Sequence, residues 1–409
     1  MKKYWLYLEP FTFIFTLKEE VLIYNSVSFV GRRFKNSNKL KKIISWLHDG
    51  ANMYCLELTE EDIKAKEVKE FVNFIRKSFS GDLISSSEFK KPAIFLPVLN
   101  IHYDKERITN FRDIGDQILK LLSEVSIYVG GNNPSSSLSN IDVYKQFNYC
   151  KKTDSKFLSF EKIKKMINSL NDTGVQQINI LGGNVFTYPD LNLLIDVLSS
   201  YSYFKCIYST YKDLPENLEL YPYIKDSQLL LRVLIDFPLD IQLLDKTINS
   251  LVEAGVRFEC LFAVTSIKEY KKAENIVNKY KLQQFEIKPV FTGENIDFFQ
   301  EYVYLSKNDI LKTQTDRRNI FINQSLNLFY FGKINILENG KVYSDLNKPA
   351  IGGIDTPIID LLYHEMTKSV SWLRVRKQKP CSNCVYQWLC PTPSAYEQVI
   401  GKPNLCTVK

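Results

Sequence analysis

The residues best placed to do chemistry are four cysteines near the end of the chain. They are spaced Cys381-x2-Cys384-x5-Cys390, with Cys406 after a further loop. Two cysteines separated by two residues can aim their sulfurs at one metal, as knuckle and ribbon sites do. Four thiolates suit tetrahedral zinc or a 4Fe–4S cluster, and Pro391 directly after Cys390 is a placement found in some cluster sites. Four of the eight cysteines lie in this tail, so chance scatter is a poor explanation. Whether iron–sulfur or zinc is held stays open on spacing alone.

A second candidate site is Gly182-Gly183-Asn184, which follows an apolar run ending at Leu181. A glycine pair after a strand is ordinarily a turn, and it gains meaning only from its place in the order of elements. The remaining cysteines, Cys55, Cys150, Cys206 and Cys260, read as packing residues, the first, third and fourth inside expected strands. The three histidines, His48, His102 and His364, are far apart in sequence. There is no Gly-Lys-Ser phosphate loop and no nucleophile elbow.

The elements that must position these residues follow a two-part pattern. Short aromatic and β-branched runs at Tyr4–Leu8, Phe11–Thr16, Val21–Tyr24 and Val27–Val30 predict strands. Helices follow at Leu40, Ile43, Ile44, Leu47 and at Val68, Phe71, Val72, Ile75, with the strand Met53–Leu58 between them. Thr59-Glu60-Glu61-Asp62 nearly satisfies a capping box for the second helix. Residues 1–90 therefore predict a small α+β module, winged in outline. Lys91–Tyr103 predicts a strand and Ile108–Leu122 a helix, within a linker over 91–124.

From 125 to 300 the pattern alternates. Strands are predicted at Val125–Val129, Gln177–Leu181, Phe204–Tyr208, Leu229–Ile235, Phe258–Val264 and Gln284–Val290. Helices are predicted between most of them, at Phe160–Leu170, Leu191–Leu198, Ile241–Leu251 and Lys268–Tyr280. This βα period implies a parallel sheet, and right-handed crossovers would curl six units into a partial barrel with its site at the strand C-termini. Over 301–409 the period disappears. A hairpin is predicted at Ile334–Leu337 and Lys341–Tyr343, turning at Glu338-Asn339-Gly340, then a helix over Leu361–Leu373 before the cysteines.

Composition bounds the partners. The formal charge of +7 with 45% apolar residues is that of an ordinary globular chain, and its short basic runs form no stripe for nucleic acid. A weakly acidic peptide is compatible with that charge. No apolar stretch of about 18 residues predicts a membrane span. Glu9 and Pro10 interrupt the apolar start, which lacks a small-residue cleavage site. The expectation is a cytoplasmic chain, where clustered thiols bind metal rather than pair as disulfides.

With these residues in hand, the tail and the Gly340-Lys341-Val342-Tyr343 hairpin resemble the SPASM domain of radical SAM enzymes that modify ribosomal peptides. The resemblance implies that Cys381, Cys384, Cys390 and Cys406 hold one auxiliary 4Fe–4S cluster. The positions of the family's other auxiliary cluster are not cysteine: Asp345 and Ser394 stand there. The middle region resembles the radical SAM core, with Leu181-Gly182-Gly183-Asn184 similar to its Gly-Gly-Glu motif. Asn184 replaces the acid, so Gly182, Gly183 and Asn184 would form at most a degenerate cofactor site. The CxxxCxxC loop expected after the first barrel strand reads Gly130-Gly131-Asn132-Asn133-Pro134-Ser135-Ser136-Ser137, and Cys150 has no partner. Without three thiolates, S-adenosylmethionine cannot be chelated and reduced.

The N-terminal module resembles the RiPP recognition element, which binds a leader peptide by adding it as a strand to a sheet edge. The expected fold is thus a partial (β/α)6 radical-SAM-like barrel between a winged-helix-like module and a SPASM-like Cys-rich domain. The expected function is a pseudo-radical-SAM, non-catalytic partner in peptide maturation, with a precursor peptide and an intact radical SAM maturase as partners. Two alternatives stand beside it. One is a barrel repurposed for another reaction through Asn184, Asp345 or Asp154, and the other is a zinc-stabilised binding protein.

Overall fold

The computed structural model describes residues 2–94, 116–154, 156–214, 224 and 229–408. Most of the predicted strand Lys91–Tyr103, the start of the helix predicted from Ile108, and His102 lie outside the described residues. Residues 91–94 are not strand, and a 3-10 turn spans Asp116–Leu121.

Six strands open the chain: β1 (Lys3–Leu8), β2 (Thr12–Thr16), β3 (Glu20–Asn25), β4 (Gly31–Lys35), β5 (Cys55–Thr59) and β6 (Gly81–Ser85). They form two antiparallel sheets, ordered β5-β1-β6 and β2-β3-β4. The predicted strand Val27–Val30 is instead a turn, and the strand starts one residue later. The reason is Asn25, whose side-chain oxygen accepts from the backbone N–H of Val27 and Ser28 at 2.8 and 2.9 Å, an Asx turn that breaks the ladder. Charged Arg32, Arg33 and Lys35 conceal β4 in the sequence, because Phe34 alone of its residues is buried.

The two predicted helices form at Asn38–His48 and Lys66–Lys77. Ser37 caps the first. Thr59 and Asp62 make the full capping box, which serves a separate short helix, Glu60–Lys64. Their apolar stripes pack on one face of the β2–β4 sheet through Val21, Ile23 and Phe34. The other face, with Leu22 and Tyr24, packs against the C-terminal tail. Burial on both faces explains why β3 reads as a continuous apolar run rather than an alternation.

The fold is mixed α/β around a large, mostly parallel sheet. Strands β7 (Glu124–Tyr128), β8 (Gln177–Leu181), β9 (Phe204–Thr210), β10 (Leu230–Ile235), β11 (Phe258–Val264) and β12 (Phe285–Pro289) run parallel in sequence order. On the far side of β7 the sheet continues through β13 (Lys333–Ile336), β14 (Lys341–Tyr343) and β15 (Gly352–Gly353), giving nine strands. β13 is parallel to β7 and antiparallel to β14. The predicted helices form at Phe160–Ser169, Leu191–Ser199, Ile241–Glu253 and Ile267–Tyr280. Their stripes bury against one face of the sheet.

The helix predicted over Leu361–Leu373 is shorter. It runs Ile358–His364, passes into one π turn over Glu365–Ser369 and closes at Val370 with φ +51°. Glu365 is fully buried and accepts hydrogen bonds from the Trp372 N–H at 2.7 Å and from Ser344 Oγ. That carboxylate draws the chain back on itself and seats Trp372 in the core. Among the described residues, no helix is long and apolar enough to cross a membrane.

Candidate functional site

Cys381, Cys384, Cys390 and Cys406 all line one cavity of about 830 Å³. Local turns place the first three. Cys381 opens a 3-10 turn whose Cys384 N–H donates back to the Cys381 carbonyl at 3.1 Å, and the Cys390 N–H donates to the Tyr386 carbonyl at 3.1 Å. Cys406 arrives through a parallel bridge with Leu305. All four thiols are free. Burial pushes the Cys390 thiol up to about 12, with Arg376 opposing the shift and the other three sulfurs adding to it. Burial also raises Cys381 and Cys384. Among the described residues, no three Cys, His, Asp or Glu are gathered tightly enough to hold a single ion.

Two neighbours of the sulfurs escape sequence reasoning. Arg376 is 9% exposed and directs Nη1 toward Cys381 Sγ at 3.9 Å, while Nη2 pairs with Glu397 at 2.7 Å. Asn404 donates Nδ2 to Cys406 Sγ at 3.2 Å. Donors to sulfur stabilise thiolates, and four cysteine sulfurs facing one cavity, which Glu19 and Glu20 also line, are by type the ligands of an iron–sulfur cluster or, once drawn closer together, of zinc. A lone arginine five residues before the first cysteine carries no sequence signal of this role.

Asp345 and Ser394, which stand where the SPASM resemblance places further cysteines, belong to a polar network instead. Ser394 caps Ala395–Ile400 in a capping box with Glu397. Asp345 accepts from Gln398 Nε2 at 2.6 Å and from the Asn347 N–H at 2.9 Å, and Arg374 stands 3.8 Å away.

At the C-terminal ends of β7 and β8, main chain packs on main chain. Gly183 N donates to the Gly130 carbonyl at 3.0 Å and Asn184 N to the Asn132 carbonyl at 2.7 Å. A Cβ on Gly182 would stand 2.2 Å from the Gly130 oxygen, and one on Gly183 would stand 2.0 Å from that of Asn132. The glycines are therefore required by the neighbouring loop. The Asn184 side chain accepts from the Phe186 N–H at 3.0 Å and caps the turn Val185–Thr187. Its acceptor is thus committed locally. Asp154 is exposed.

The loop itself is pinned across the strand ends. Asp236, 1% exposed just after β10, accepts from Ser136 Oγ at 2.7 Å, Ser137 N at 2.6 Å and Ser137 Oγ at 2.9 Å. Asp213 accepts from the Ser135 N–H at 2.9 Å. Beyond the serines, Leu138, Val143, Phe147, Tyr149 and Cys150 lie on the sheet face opposite the helices and pack against Tyr128, Tyr208, Leu234 and Leu261. This face of the sheet is covered by the chain's own segment. Cys150 lies within it, its thiol raised well above the usual range by burial and then by Asp236. Burial likewise pushes Cys206 and Cys260 to about 12 and Cys55 to about 11.

What the face opposite the helices retains is a polar pocket of about 310 Å³ reaching the starts of β7, β8 and β12. Its charges are satisfied internally. Arg232 pairs with Glu259 at 2.9 Å, Lys288 with Glu286 at 2.7 Å and Lys333 with Glu124 at 3.2 Å.

No protein-family model matches the chain, and no curated protein matches it. Among solved structures it is similar to native anSMEcpe with bound AdoMet and Cp18Cys peptide, at 12% identity over 65% of this chain and 87% of that one, with a TM-score of 0.48. It is also similar to SuiB of Streptococcus suis, at 11% identity over 99% of each chain and a TM-score of 0.44. The same protein bound to precursor peptide SuiA gives 11% identity over 99% of each chain and a TM-score of 0.42.

Proposed function

We propose that this chain is a non-catalytic, pseudo-radical-SAM partner in the maturation of a ribosomal peptide. One observation supports the reading: the segment Ser135–Cys150, which follows the first strand of the parallel sheet, is tied by its serines to Asp236 and packs its own side chains against the sheet. The serine-tethered loop offers one thiol in place of the three that the radical SAM resemblance requires, and that thiol, Cys150, is buried with Phe147 and Tyr149. In this reading residues 1–90 bind a precursor leader and 91–124 link. Residues 125–300 form the degenerate barrel, and 301–409 the SPASM-like part with one four-thiolate site.

The N-terminal module offers the leader a defined edge. Flanking hydrogen bonds, Asn25 N to the Val30 carbonyl and Asn36 N to the Glu19 carbonyl, set the phase of the β3–β4 ladder. By alternation, Arg32 and Phe34 bond to β3, while Gly31, Arg33 and Lys35 turn their backbone groups outward. Among the described residues no strand pairs with that side. An extended peptide adding there would meet Arg32, Arg33 and Lys35, which favour an acidic leader.

Cys381, Cys384, Cys390 and Cys406 would hold a single 4Fe–4S cluster, which supplies structural cross-linking or electron transfer when bound. Arg376 and Asn404 orient and stabilise the sulfurs. The test is anaerobic purification followed by incubation with S-adenosylmethionine and a strong reductant. The expected results are visible absorbance with iron and sulfide, no cleavage of S-adenosylmethionine, and retention of a co-encoded precursor peptide or radical SAM enzyme in a pull-down. Cleavage would refute the non-catalytic role. A colourless protein with stoichiometric zinc would replace the cluster with a zinc site, and failure to retain either partner would remove the maturation role.

A further inference from the structure

The tail cavity and the β2–β4 sheet share a wall. Leu22 and Tyr24 of β3, with Phe13 and Phe15 of β2, pack on Val385, Tyr386, Leu389 and Cys390 in one apolar cluster. Leu17, Lys18, Glu19, Glu20 and Arg33 line the same cavity as the four thiols. A polar relay runs alongside: Tyr24 Oη donates to the Thr315 carbonyl at 2.9 Å, and Thr315 Oγ1 donates to the Leu389 carbonyl at 3.2 Å, one residue before Cys390.

The segment between the first and third cysteines has little order of its own. From 381 to 390 its regular structure is one 3-10 turn of three residues, Cys381–Asn383. Turns of that length are marginal without tertiary support. Tying Cys381, Cys384 and Cys390 to Cys406 through one bound group would cross-link that segment and remove much of its freedom to open, because ligation free energy at such sites is folding free energy. Among the described residues, β4 in turn pairs with β3 alone. Its register rests on β3, and one face of β3 rests on the tail.

We propose that metal occupancy of the tail controls the peptide-binding edge: with the four thiolates ligated, the Val385–Leu389 floor is fixed and β3–β4 presents an ordered edge, and without ligation the edge loosens. This deepens the function proposed above and rests on it, since it takes the four cysteines as a metal site and β4 as the docking edge. The consequence is reciprocal, because a peptide that binds the ordered edge must also tighten the metal's equilibrium binding by the same factor.

The test compares full-length protein reconstituted with ferrous iron and sulfide, or with zinc, against the same protein stripped by chelator. Metal content is measured in parallel with amide hydrogen exchange. Expected on stripping is at least tenfold faster exchange over residues 20–35, with the helix Ile241–Glu253 unchanged. The double variant Cys384→Ser, Cys390→Ser reproduces the stripped pattern without chelator. Stoichiometric metal with identical exchange over 20–35 in loaded and stripped protein overturns the coupling and leaves the metal site standing. Equal loosening of Ile241–Glu253 also overturns it, because the effect would then be global. A chain that takes up neither iron nor zinc overturns the metal site itself.

Discussion

Replacing Asp236 with alanine should release the segment that covers one face of the parallel sheet. Asp236 Oδ2 accepts three hydrogen bonds, from Ser136 Oγ, Ser137 N and Ser137 Oγ. Ser136 is buried, so it would lose a charged partner with no water to replace it, at about 2 kcal/mol. The Ser137 N–H, on an exposed residue, can turn to solvent, and the single hydroxyl proton of Ser137 also reaches the Phe237 carbonyl at 2.6 Å, so together they add roughly 1–2 kcal/mol. Against this, Asp236 Oδ1 makes no hydrogen bond and has only Lys212 Nζ at 3.6 Å. Removing the carboxylate therefore recovers part of its desolvation cost. The balance is a loss of about 3 kcal/mol from the local opening of residues 135–150, or roughly a hundredfold in the opening equilibrium. Amide hydrogen exchange reads this directly, because the opening is sub-global and one unfolding midpoint for so large a chain would blur it. Exchange over 135–150 should accelerate about a hundredfold in Asp236→Ala and roughly tenfold or less in Asp236→Asn, which keeps an acceptor oxygen. Exchange within threefold of the parent in Asp236→Ala would refute the pinning.

Other perturbations test the remaining links. Cys390→Ser should abolish stoichiometric metal while Cys260→Ala leaves it intact, as elemental analysis would show; equal metal in both would remove the tail site. Gly130→Ala should lower stability by at least about 2 kcal/mol in urea, because the residue sits at φ +94° and a Cβ would stand 1.9 Å from the Lys156 oxygen. Tyr24→Phe removes the hydrogen bond to Thr315 and should cost about 1 kcal/mol, with limited proteolysis revealing faster release of the N-terminal module. Arg376→Met breaks a buried ion pair with Glu397. It should cost roughly 3 kcal/mol or more, and Glu397→Gln should also destabilise, because both carboxylate oxygens accept, from Arg376 and from Ser394, and an amide has one acceptor.

The alternating part of the fold was readable because each strand of the parallel sheet is an apolar run, most with a helical stripe after it, and all six predicted strands overlap the observed β7–β12. What could not be read has physical causes. β4 is hidden because three of its five residues are cationic and only Phe34 is buried. The Asx turn at Asn25 depends on a side chain whose partners lie across the module at Ser78 and Phe79, beyond any local window. The π turn at Glu365 follows from a buried carboxylate whose partners come from Ser344 and Trp372. At the site, spacing drew attention to four cysteines that line one cavity. It could not reveal that Ser135–Ser137 are answered by Asp213 and Asp236, since those carboxylates arrive from strands about 80 to 100 residues later. Long-range polar pairing leaves no periodicity.

The parallel pairing of β13 with β7 bears on where this polypeptide may be cut. β7 lies between β8 and β13, with Ser126 opposite Asn335. A chain ended near residue 300 would leave β7 with a bare flank of unpaired amides and carbonyls, paired in the native protein and attractive to any other strand. Such a fragment should self-associate, so the middle region depends for its solubility on segments translated after it.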